Sequence, residues 1–173
     1  RCRKVIGVDP SQELINIANS RNKFNNVEFI NIDFKFRPLG ITEKVDKIFT
    51  VGVMYHIPDD DLVLRLNDFA GLLNEKGKFV FIEHVSPFDR ILDGVGIQRS
   101  MKKWNSLMTK SGFRICSARR IIRVPSYSIS LWKKFKSTQS WLFPLMLWVE
   151  KATLNRKSVF ASYYYYAFVC EKV

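Results

Sequence analysis

The chain has 173 residues, of which 47% are hydrophobic, 14% aromatic and 25% charged, proportions that suit a globular domain with enough apolar mass for a sizeable core. Intrinsic disorder, a collagen-like repeat and a disulfide scaffold are therefore excluded. The net charge of +12 is placed unevenly: residues 1–86 hold 12 basic and 12 acidic side chains, whereas residues 87–173 hold 16 basic and four acidic ones. The second half thus either faces an anionic partner (a membrane surface, a phosphorylated substrate or nucleic acid) or presents a solvated basic face that aids solubility.

In chain order, Lys4 to Val8 is a strand-like, β-branched run that begins almost at once after Arg1, and the sequence reads as a fragment that lacks its N-terminus. Asp9-Pro10-Ser11 ends the run, and Gln12 to Asn22 then places Leu14, Ile15 and Ala18 on one helical face. Val27 to Ile32 is a second strand, and a loop follows through Arg37-Pro38-Leu39-Gly40. Val45 to Val53 is nearly continuous in apolar character, as a buried parallel strand should be, before His56-Ile57-Pro58-Asp59 turns the chain. Leu62 to Leu73 repeats apolar residues at helical spacing, with Asp59, Asp60 and Asp61 suited to the positive end of the helix dipole. Gly77 is read as the helix stop before a strand from Lys78 to Ile82. Ile97 to Ser111 predicts another helix, Phe113 to Cys116 an element of mixed pattern, and Ser158 to Val169 a last strand.

The expected fold class is α/β: a doubly wound, Rossmann-like, mostly parallel sheet without its first strand, with an aromatic-basic insertion before the last strand. Residues 1–173 are read as one domain, and residues 119–157 as an insertion or lid within it. The three cysteines, Cys2, Cys116 and Cys170, lie far apart and form no metal-ligand spacing with the two histidines, so a reduced, cytoplasmic protein with no metal site is expected. The longest uncharged runs, 137–149 and 158–170, have 13 residues each, short of the ~18 that span a bilayer.

Ligands of doubly wound sheets bind at the carboxyl ends of the strands, so the side chains that follow each strand are the ones to weigh. Asp9 stands where a carboxylate can accept both hydroxyls of a ribose, or can simply cap the next helix. Asp33 stands where a carboxylate and neighbouring amides could read an adenine.

Four segments carry a more specific signal. Val5-Ile6-Gly7-Val8-Asp9-Pro10-Ser11, Asp33-Phe34-Lys35-Phe36-Arg37-Pro38-Leu39, Val45 to Asp59, and Leu72-Leu73-Asn74-Glu75-Lys76-Gly77-Lys78 resemble, in order and spacing, those of class I S-adenosylmethionine-dependent methyltransferases of the broad type-11 kind. The likeness covers residues 4–83. It implies methyl transfer from S-adenosylmethionine as the cofactor, with Asp9 and Pro10 at its ribose, Asp33 and Phe34 at its adenine, and backbone around Val51 facing its methionine part. Phe34 departs from the usual small residue, as Glu75-Lys76 departs from the usual Pro-Gly turn. The family's Gly-rich loop would lie upstream of Arg1, and in the family's order the absent strand falls between those that end at Asp9 and Val53.

His56 and His84 are candidates on the acceptor side, each set against the plainer role of a packed or backbone-bonded ring, because methyl transfer needs little beyond proximity and alignment. The stretch from Leu131 to Val149, with Trp132, Trp141 and Trp148 beside Lys133, Lys134 and Lys136, has two readings. It either packs as a lid over a hydrophobic pocket or lies at a membrane interface, which would place the protein peripherally on a membrane surface. Nucleic-acid stacking on Trp132 and Phe135 is the weaker reading, and Tyr163 to Tyr166 are read as alternate faces of the last strand with no special function. The function expected is methyl transfer to a small-molecule or lipid-like acceptor. The alternatives are a non-catalytic cofactor-binding or membrane-associated module, and a nicotinamide-dependent dehydrogenase, which shares the ribose-binding acid.

Overall fold

The computed structural model describes residues 2–32, 40–92, 96–125 and 161–173. Asp33, Phe34 and the stretch 126–160 therefore lie outside the described residues. The chain divides into two compact units, Arg1–Glu43 and Lys44–Val173.

In the first unit the β-branched run forms β1 (Val5–Asp9), which pairs in parallel with β2 (Val27–Asn31), Val5 opposite Val27 and Asp9 opposite Asn31. The crossover is α1 (Gln12–Arg21). Its start is fixed locally: the Ser11 hydroxyl accepts the Leu14 amide at 3.3 Å and so satisfies one of the free N–H groups of the first turn. Gly7 is required by close approach, because a Cβ there would sit 2.6 Å from Cδ1 of Phe29, its partner across the ladder.

The second unit is built on a four-stranded sheet in the order β3 (Val45–Val51), β4 (Leu73–Val85), β8 (Ala161–Lys172), β7 (Phe113–Pro125). β3 and β4 are parallel, whereas β8 runs antiparallel to both β4 and β7. A 3-10 turn (Met54–His56) and α2 (Asp59–Leu72) connect β3 to β4. The hairpin of β5 (Arg90–Leu92) and β6 (Gly96–Gln98), followed by α3 (Met101–Lys110), leads to β7. One side of the sheet carries the core, where Phe79, Phe81, Phe168 and Cys170 meet Leu62 and Leu66 of α2 and Trp104, Leu107 and Met108 of α3. Phe81 and Phe168 stack with ring centres 4.3 Å apart and Trp104 lies 5.3 Å from Phe81. Burying each such ring contributes ~1.5–3 kcal/mol, so these aromatics anchor the unit.

Three expectations are corrected. Gly77 does not stop α2, since β4 already begins at Leu73; the pairing jumps from Val45–Leu73 to Lys47–Lys78, and the intervening residues bulge out. A Cβ on Gly77 would lie 2.9 Å from the Asn74 carbonyl oxygen, so close packing within the bulge demands glycine. The helix expected from Ile97 begins only at Met101, because Gly96–Gln98 is already committed to the hairpin and Ser100 supplies the cap, its hydroxyl accepting the Lys103 amide at 3.2 Å. Residues 119–125, expected to belong to the insertion, are part of β7, which runs on to Pro125 with exposed Arg119 in the middle of the strand. An arginine-bearing strand face has the composition of a loop, which is why residues 119–125 read as one.

Candidate active site

β1 delivers Asp9 to its carboxyl end. The partly buried carboxylate accepts the Ser11 amide through Oδ1 at 2.8 Å, and its second oxygen has no hydrogen bond among the described residues. Meanwhile the Asp9 carbonyl takes the Ile32 amide at 3.2 Å and the Asn31 side-chain amide at 3.0 Å, which fixes the strand end. A carboxylate held in this way can accept a sugar hydroxyl. Pro10 follows it at the surface.

In the second unit β3 ends at Val51, whose side chain is 53% exposed, and Phe49 on the same strand is 62% exposed. Gly52 then takes φ +62° with open space round it, while its amide donates to the Ile82 carbonyl at 3.0 Å. Glycine is used here for its backbone freedom. It swings the chain into the 3-10 turn over the end of β4, where Glu83 is completely buried. Glu83 Oε1 accepts the Met54 amide at 2.7 Å, while Oε2, also buried, has no hydrogen bond among the described residues. Burial pushes the Glu83 carboxyl up to about 7, against the opposing pull of the Met54, Val53 and Tyr55 amides and of Arg99.

Arg99 closes the other side of the turn. Only 1% exposed, it donates to the Met54 carbonyl at 2.9 Å and to the Ile57 carbonyl, and it pairs through Nε with Asp59 Oδ1 at 2.8 Å. Its guanidinium also lies over the Trp104 ring at 5.2 Å. Asp59 takes Lys103 Nζ on its other oxygen at 2.6 Å. Burial alone would raise the Asp59 carboxyl, but the bonds and charges of Lys103 and Arg99 outweigh it and hold the group below its usual range.

The turn carries Tyr55 and His56 toward His84. The Tyr55 ring meets His84 edge-on at 4.7 Å and His56 at 3.7 Å, and Tyr165 of β8 lies 4.8 Å from His84. His84 is held in place at its backbone too, where its carbonyl accepts Trp104 Nε1 at 3.2 Å. Burial, with a smaller contribution from the charge of His56, depresses the His84 pKa and so favours the neutral imidazole, the form that can accept a proton.

The structure therefore places Tyr55 against both His56 and His84, with Tyr165 against His84 as well. Glu83, Arg99, Tyr55 and Tyr165 were not singled out from the sequence, and Tyr165, read there as an ordinary strand residue, lies against His84. A signal for Glu83 did exist, since a lone carboxylate in the apolar run from Phe79 to Val85 must find partners if it is buried. Among the described residues no group of three or more His, Cys, Asp or Glu is placed to hold a metal ion, and no helix is long and apolar enough to cross a membrane.

Residues 2–141 match the family described as "Methyltransferase domain". The chain belongs to the methyltransferase domain family. The class I S-adenosylmethionine-dependent type read from residues 4–83 is upheld, and the dehydrogenase alternative is set aside. An uncharacterised methyltransferase of Bacillus mycoides is similar at 25% identity over 117 residues, 65% of this chain and 54% of the relative. The methyltransferase chain thus spans about half the length of the curated relatives it matches. Its fold is that of an O-methyltransferase from a trans-AT PKS multienzyme of Brevibacillus brevis, solved in complex with S-adenosyl-L-homocysteine. That likeness has a TM-score of 0.68 at 15% identity, over 98% of this chain and 59% of that one. An S-adenosylmethionine-dependent methyltransferase of Leishmania major is similar too, with a TM-score of 0.65 at 11% identity over 96% of this chain and 55% of that one.

Proposed function

We propose that the full-length protein transfers the methyl group of S-adenosylmethionine to a hydroxyl oxygen of a small-molecule or lipid-like acceptor. The observation that carries the choice of oxygen is the half-buried His84, shifted toward its neutral form by burial and set against Tyr55 and Tyr165 at a strand end. The cofactor supplies an electrophilic methyl carbon on a sulfonium. Asp9 accepts hydrogen bonds from the ribose hydroxyls through its carboxylate, with Pro10 beside it, and Asp33 and Phe34 hold the adenine. His84 would receive the hydroxyl proton as the acceptor oxygen forms its bond to the methyl carbon and the carbon–sulfur bond breaks, its electron pair leaving with the neutral thioether S-adenosylhomocysteine, so no charge is left on the product oxygen. The tyrosine rings shape an aromatic wall against which an apolar acceptor can lie. The Brevibacillus brevis neighbour is itself described as an O-methyltransferase, which supports the same class of acceptor.

Two measurements on the full-length protein test this reading. S-adenosylhomocysteine titrated by calorimetry should bind with measurable heat, and a panel of hydroxyl acceptors incubated with methyl-labelled cofactor should yield a labelled product. His84→Gln should then lower turnover ~100-fold with cofactor affinity unchanged. An absence of cofactor binding would overturn the enzymatic reading, and full turnover in the His84 variant would remove the proton-accepting role.

A further inference from the structure

The Met54–His56 turn is gripped at both ends of one residue. The Met54 amide donates to Glu83 at 2.7 Å and its carbonyl accepts from Arg99 at 2.9 Å, and both of these charged side chains are buried. The residue so clamped immediately precedes Tyr55 and His56, whose rings sit against each other at 3.7 Å, with Tyr55 also against His84 at 4.7 Å. Gly96 presses on the same ring from the hairpin, since a Cβ there would lie 2.3 Å from Tyr55 Cδ2. A fully buried carboxylate with one oxygen that has no hydrogen bond among the described residues is costly to the fold.

We infer that Glu83 is a positioning residue for the methyl transfer proposed above: its carboxylate, acting through the Met54 amide, holds Tyr55 and His56 in register with His84. The inference rests on that reading for its consequence in catalysis, but the structural link can be tested alone. An ionised carboxylate is the stronger acceptor for the Met54 amide. With its carboxyl pushed up to about 7, Glu83 changes charge in the physiological range, and the grip on the turn tightens as pH rises. The groups that bear on it are the Met54, Val53 and Tyr55 amides of the turn and Arg99 ahead of α3, with Asp59 and Lys103 behind that arginine. From the sheet come its neighbour His84 and its ladder partner Tyr166, whose hydroxyl takes Arg120 at 3.2 Å. His56 of the turn acts on His84 as well, and burial together with the His56 charge lowers the His84 pKa, whereas burial raises that of Glu83.

The test uses the full-length protein. The NMR shifts of the Met54 amide and of the Tyr55 ring should report an inflection near pH 7 that Glu83→Gln abolishes. Glu83→Gln keeps an oxygen for the Met54 amide, should fold, should bind S-adenosylhomocysteine as the parent does, and should lose the same inflection from its kcat/KM profile. Glu83→Leu, which removes the acceptor, should lower kcat ~100-fold with cofactor affinity unchanged. An inflection that persists in Glu83→Gln, or parental turnover in Glu83→Leu, overturns the inference. A parent protein that binds no cofactor overturns the function proposed above instead, and the shift titration still decides whether Glu83 sets the turn.

Discussion

The buried Glu83 carboxylate makes a prediction about stability that does not depend on catalysis. Its carboxyl stands at about 7 in the folded chain against 4.5 as its ordinary value. At ~1.36 kcal/mol per pH unit, this difference corresponds to ~3 kcal/mol. Because the folded state binds the proton more tightly than the unfolded state does, this contribution is fully present below pH 4.5 and is lost as pH rises through about 7. The parent protein should therefore lose ~3 kcal/mol of unfolding free energy between pH 4.5 and 8 relative to Glu83→Gln, which cannot titrate. Most of the loss should fall below pH 7.5. The slope is the diagnostic, because the absolute level of Glu83→Gln also reflects a carboxamide placed where Oε2 has no partner among the described residues and an Arg99 charge less well balanced. Urea denaturation at closely spaced pH values, followed by tryptophan fluorescence, measures it directly. Parallel stability curves for parent and variant would mean that Glu83 is solvated or otherwise paired, and the argument from burial would fail.

Other perturbations follow from the same geometry. Asp9→Ala should weaken binding of S-adenosylhomocysteine by ~1.5–3 kcal/mol in calorimetry, the loss expected for hydrogen bonds to a charged acceptor, and unchanged affinity would remove the ribose assignment. Phe81→Ala deletes a fully buried ring stacked 4.3 Å from Phe168 and should cost ~3–5 kcal/mol, read as a lowered urea midpoint. Gly96→Ala drives a methyl group into the Tyr55 ring and carbonyl, and should raise the acceptor KM more than it changes cofactor affinity. If residues 131–149 contact a membrane, full-length protein should sediment with anionic vesicles at low salt and be released as salt rises, each of Lys133, Lys134 and Lys136 contributing ~1 kcal/mol.

Much of this architecture was legible in the sequence because it follows from local rules. The β-branched run ending in Asp9, the helix capped by Ser11, the apolar strand ending at Val51 and the helix opened by three aspartates all appear near their expected bounds. Each is fixed by patterning or by a cap within a few residues of itself. The segments around Asp9, Val51 and Gly77 likewise pointed to the methyltransferase domain family, since motif order is a property of the linear chain. What lay beyond reach depended on residues distant in sequence. Gly77 reads as a helix stop until the ladder between β3 and β4 shows the bulge it permits. Arg119 reads as loop until β8 supplies a partner strand. The neighbourhood of His84 is assembled from Tyr55, 29 positions upstream, and from Tyr165 on the last strand. The sequence alone thus determined β1, α1, β2, β3 and α2 and the family to which the chain belongs, because backbone propensity and side-chain period act over one turn or one strand. Only tertiary structure decided that Glu83 is buried and raised to about 7, that Arg99 and Glu83 clamp Met54, and that Tyr55 lies against both histidines. Burial and charge coupling arise from groups that the fold alone brings within a few ångströms of one another.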